Sequence, residues 1–106
     1  MSTFDNREKS FEKKFAHDEE TKFKIAARRN KLLGLWVAEC LGLEGDDAEA
    51  YAKQVVRADF EKPGEEDVFE KVWGDLQAKE ADISEHRVRR QMAELMHEAR
   101  EQVVNE

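Results

Sequence analysis

Apolar residues in this chain recur every three to four positions between two punctuated breaks, and no stretch alternates apolar and polar in the two-residue rhythm of a strand. Gly42-Leu43-Glu44-Gly45-Asp46 forms one break and Lys62-Pro63-Gly64 the other, with a softer one at Glu80-Ala81-Asp82-Ile83-Ser84. In 106 residues with one proline and five glycines, that pattern restricts the fold to packed helices. It predicts an all-α protein: a compact four-helix bundle over 19–106, with helices at about 19–41, 46–60, 65–79 and 84–103. An N-terminal arm over 1–18 precedes it.

Each helix carries its own signals. The first is apolar on most sides from Leu32 to Leu41 and ends at Gly42, a residue suited to the left-handed position after a helix. Asp46 reads as the N-cap of the second, with Glu49 three residues on in a variant capping box. The third opens with Glu65, Glu66 and Asp67, which favour the positive end of the helix dipole, and continues with Val68/Phe69, Val72/Trp73 and Leu76. Ser84 caps the fourth, where Ile83 and Val88 are spaced as a hydrophobic staple.

The arm is built differently. Twelve of residues 1–24 are charged, and so few apolar side chains cannot offset the entropy of ordering the segment. A flexible, conditionally helical segment is therefore expected. Yet four of the six phenylalanines fall within it, and a helix would place Phe11 and Phe15 within about 20° of Phe4. That edge either packs on the bundle, extending the first helix, or folds into the groove of a partner.

Charge divides the chain. Residues 1–31 hold nine Lys/Arg against six Asp/Glu, whereas residues 32–106 hold nine against nineteen, for a total of −7. An acidic body disfavours nucleic acid, and a basic arm suits an acidic protein groove. The longest apolar run, Leu32 to Ala38, is interrupted by Gly34 and is too short to insert into a membrane. A single cysteine, Cys40, permits no internal disulfide and reads as a packing residue. A soluble, cytoplasmic monomer is expected.

No catalytic residues and no metal site are predicted. The chain lacks a phosphate-binding glycine loop, and His86 and His97 would lie about 16 Å apart along a helix. His17, beside Asp18, Glu19 and Glu20, could form a pH-sensitive hinge, though an ordinary polar junction residue is the simpler account. The basic cluster Arg28, Arg29 and Lys31 could contact a partner or a phosphate, or face solvent. With Trp36 or Tyr51 it could instead hold a nucleotide, which leaves a small helical nucleotide-binding or adaptor module as the alternative function.

Long strings of the chain resemble a known family. FDNREKSFEKKFAHDEE (4–20), ARRNKLLGLWVAE (27–39), AYAKQVVRADF (50–60), EEDVFEKV (65–72) and HRVRRQMAEL (86–95) are similar to the zeta subunit of the α-proteobacterial F-type ATP synthase, an inhibitor protein. The resemblance implies a four-helix bundle that blocks ATP hydrolysis by inserting a mobile N-terminal segment between catalytic and non-catalytic subunits near the rotor. It implies no cofactor, beyond weak adenine nucleotide binding in some members, and association with the inner membrane only through the synthase. On that reading Phe4, Phe11 and Phe15 are anchors in the inhibitory arm, and Arg7, Lys9, Lys13 and Lys14 meet carboxylates of the partner.

Overall fold

The structure is a computed structural model. It describes the backbone of residues 2–61 and 64–106 and the side chains of 19–61 and 64–106. Four helices follow one another: α1 (Ser2–Cys40), α2 (Gly45–Glu61), α3 (Glu65–Ala78) and α4 (Glu85–Val104). There is no strand among the described residues.

The loop chemistry fixes where the helices stop. Gly42 has a φ of 80°, and its N–H donates to the Glu39 carbonyl at 3.0 Å while that of Leu43 donates to Ala38 at 2.8 Å. This is the paired Schellman closure, which uses carbonyls that the helix itself leaves unbonded. The same closure ends α3 without a glycine. Glu80 takes a φ of 57°, its N–H reaches Gln77, and that of Ala81 reaches Leu76. At the start of α4, Ser84 Oγ accepts from the Arg87 amide at 3.0 Å. Ile83 packs against the core that buries Val88, as the staple requires.

One expected cap is displaced. The Glu44 carbonyl already accepts from the amides of Asp47 and Ala48, so α2 begins at Gly45 and Asp46 lies inside its first turn. There Asp46 and Asp47 act through the helix dipole rather than as caps.

α1 touches each of the other three helices, which explains why its C-terminal half is apolar on so many sides. Leu33, Val37 and Ala38 are fully buried against Val55 of α2, Val68, Val72 and Leu76 of α3, and Val88 and Met92 of α4. Trp73 is only partly buried, stacked on Phe69 with ring centroids 6.0 Å apart. The Arg89 guanidinium covers Phe69 at 3.8 Å, and Arg87 lies over Trp36 at 5.5 Å, so α4 seals the core edge with cations.

Candidate docking surface

The arm residues Phe4, Arg7, Lys9, Phe11, Lys13, Lys14 and Phe15, together with His17, lie outside the described side chains.

The three cations of the 28–31 run point to three different places. Arg28 crosses to the end of α4, where it donates to Gln102 Oε1 at 2.9 Å and pairs with the Glu106 carboxylate. Arg29 is buried. Its Nε donates to Asn30 Oδ1 at 2.8 Å and its terminal nitrogen to Glu65 Oε1 at 3.1 Å, so it ties α1 to the first turn of α3. Lys31 is exposed on the α2 side. The run therefore does not form one phosphate-sized cluster. Arg29 in particular is committed to holding the fold, since stripping a buried guanidinium of its partners is costly.

Next to Arg29 runs a second buried polar link. Asn30 donates from Nδ2 to Asp59 Oδ2 at 2.7 Å, and Asp59 Oδ1 accepts from the Gly64 amide at 3.3 Å. One carboxylate thus joins α1, the end of α2 and the entry to α3. Nothing in the local spacing of Asp59 and Glu61 distinguishes the first from any other surface acid; its role appears only once residue 30 is beside it.

The aromatic partners considered for a nucleotide are engaged elsewhere. Trp36 sits beneath Arg87, and the Tyr51 hydroxyl donates to Asp75 Oδ2 at 2.7 Å on the α3 side. Burial and the neighbouring Asp75 raise the Tyr51 phenol above its ordinary range. Burial, helped by Glu39, raises the Cys40 thiol, which disfavours the reactive thiolate. His97 Nε2 lies 3.3 Å from Glu101 on the exposed side of α4, and His86 is also exposed. Among the described residues no three His, Cys, Asp or Glu side chains are grouped to hold a metal. No described helix is long and apolar enough to cross a membrane.

Among the described residues, one concave surface lies between α1 and α2. One cavity of about 480 Å³ has Ala52, Val56 and Phe60 along its apolar side and Lys31, Glu49, Lys53 and Arg57 around it. A second, of about 240 Å³, continues toward the N-terminal end of α1 and is lined by Phe23, Ala26, Ala27, Asn30 and Asp59. Val56 and Phe60 border both. Phe23 and Phe60 are 61% and 73% exposed, among the most accessible large apolar side chains of the described surface. The sequence reading did not single out this groove, because its residues come from two helices and none departs from an ordinary helical pattern.

The described helical body thus pairs a buried polar brace, Asn30 to Asp59, with an apolar groove open to a partner. The comparisons give the family. The family model for ATPase inhibitor subunit zeta matches residues 1–102, and the chain belongs to that family. A protein known from its solution NMR structure is 54% identical, with a TM-score of 0.70 over 79% of this chain and 95% of that one. No curated relative matches.

Proposed function

We propose that this protein inhibits ATP hydrolysis by an F-type ATP synthase, its four-helix body docking on the catalytic head while residues 1–18 insert between catalytic and non-catalytic subunits beside the rotor. The observation that carries this reading is the extent of the family match, which begins at residue 1 and takes in the arm as well as the body. The charge division supports it: a weakly basic head on an acidic body suits an arm steered toward carboxylates. In this reading Phe4, Phe11 and Phe15 are the buried anchors, and Arg7, Lys9, Lys13 and Lys14 set on-rate and orientation. The protein acts as a regulatory subunit without catalysis of its own or a cofactor, and reaches the cytoplasmic face of the membrane only through the synthase.

Removing residues 1–17 tests the proposal. Inhibition of the isolated catalytic head should be lost while the thermal melt of the body is retained. Phe11→Ala in the full chain should weaken inhibition ~30–1,000-fold, the effect of truncating an interface hot spot. A shortened chain that inhibits as well as the full one would overturn the role of the arm.

A further inference from the structure

We infer that the α1/α2 groove is a second contact with the inhibited enzyme, one that receives an acidic amphipathic helix of the partner; this rests on the inhibitory reading above. The first ground is charge. The chain carries a net −7, yet Lys31, Lys53 and Arg57 converge on one cavity against a single acid, Glu49. None of the three cations forms an ion pair with a described residue, whereas Arg28, Arg29, Lys71, Arg89 and Arg90 all do. Three uncommitted cations beside an apolar strip complement a ligand that is apolar on one side and carries carboxylates on its flank.

The second ground is shape. From Phe23 to Lys31 the groove follows nine residues of α1, eight steps or about 12 Å at 1.5 Å per residue, which is room for two turns of a partner helix. Phe60 stands over the junction of the two cavities, where an apolar pair spaced i, i+4 on the partner would cover both it and Phe23. The third ground is continuity. The groove opens at Phe23, five residues beyond the proposed inserting segment, so an enzyme surface that holds residues 1–18 reaches it along the same helix.

Two full-length variants test the inference, Phe60→Ala and the double charge reversal Lys53→Glu/Arg57→Glu, each titrated as an inhibitor of the isolated catalytic head. Both alter exposed side chains, and a thermal melt equal to that of the unmodified chain certifies the body. Phe60→Ala should raise the inhibitor concentration needed for half-inhibition at least tenfold. The charge reversal should raise it ten- to a hundredfold at low salt and make it far less sensitive to added salt. Should Phe60→Ala lower the melting temperature, the charge reversal decides alone. If the unmodified chain inhibits and both variants match it at every ionic strength, the groove is not a contact. If the unmodified chain does not inhibit at all, it is the inhibitory reading that fails. Two other results would overturn the choice of occupant: binding of the unmodified chain to phosphatidylglycerol vesicles that the charge reversal abolishes, or a concentration-dependent dimer that Phe60→Ala dissolves.

Discussion

A Cβ built on Gly34 would lie 2.5 Å from the Cα of Ala52, closer than any relaxed contact allows. The backbones of α1 and α2 meet at this point, and the collision is with main chain rather than with a side chain that could swing away. Gly34→Ala gains ~1 kcal/mol of helix propensity but must push the two helices apart. Overpacking of this kind costs about 1–3 kcal/mol or more, so a net loss of stability is expected in urea unfolding. The α1/α2 groove should widen with it. A variant as stable as the unmodified chain would show that the helices are not held so close.

Gly74 is the counterpart. It is an exposed glycine inside α3, and a Cβ there meets nothing within 4 Å. Gly74→Ala should stabilise the protein by about 0.5–1 kcal/mol, by raising helix propensity and restricting the unfolded chain. The melting temperature should rise by several degrees. An unchanged or lower value would count against a regular, open helix at this position.

The difference between these two glycines shows which parts of the protein could be read from the sequence. Terminators were legible because their chemistry is local: Gly42 closes α1, Ser84 caps α4, and the apolar spacing of α3 and α4 names their buried faces. Asp46 misled, because the carbonyl of Glu44, two residues earlier, had already started the helix. Contacts between distant residues left no local trace. Asn30 and Asp59 are 29 residues apart, Arg29 and Glu65 are 36 apart, and each pair consists of residue types that are ordinarily exposed. The groove was illegible for the same reason. Its cations look like any solvated helix face until α1 and α2 are side by side.

Asp59 should prove more important than its partial exposure suggests. Asp59→Ala strands the Nδ2 group of Asn30, which is 1% exposed, and an unpartnered buried donor costs about 1–3 kcal/mol. Asp59→Asn keeps one acceptor where two donors, Asn30 Nδ2 and the Gly64 amide, now bond, so an intermediate loss is expected. In an Asn30→Ala background the Asp59→Ala change should cost distinctly less. Simple additivity of the two in denaturant unfolding would mean that the link contributes nothing.

Glu80 holds a left-handed conformation that suits glycine, and its side chain is exposed. Relief of that conformation exceeds the extra chain entropy of glycine, so Glu80→Gly should stabilise the fold by roughly 0.5–1 kcal/mol. Glu80→Val, β-branched and poorly tolerated at positive φ, should do the reverse. Equal melting temperatures for the two variants would contradict the closure seen at the end of α3.

The hydrogen bond from Tyr51 to Asp75 makes stability depend on pH in a defined direction. Burial first, then the bond to Asp75 and the charge of that carboxylate, raise the phenol pKa in the folded protein. The unfolded phenol titrates near ~10. A group whose pKa is raised by folding contributes stability that is complete below its unfolded value and is lost as pH climbs from there toward the folded one. Tyr51→Phe removes the hydroxyl and should cost about 0.5–1.5 kcal/mol at pH 7. Lacking the phenol, the variant is spared the alkaline loss, which proceeds at ~1.4 kcal/mol per pH unit once the unfolded phenol has ionised. The stability difference between the two proteins should therefore be constant to about pH 9.5, shrink above pH ~10 and vanish near pH ~11. Lysines that titrate in the same range are present in both chains and cancel to first order. Urea unfolding of the pair from pH 7 to 11.5 measures the difference directly, and a flat difference over the whole range would mean that Tyr51 ionises as freely in the folded protein as in the unfolded chain.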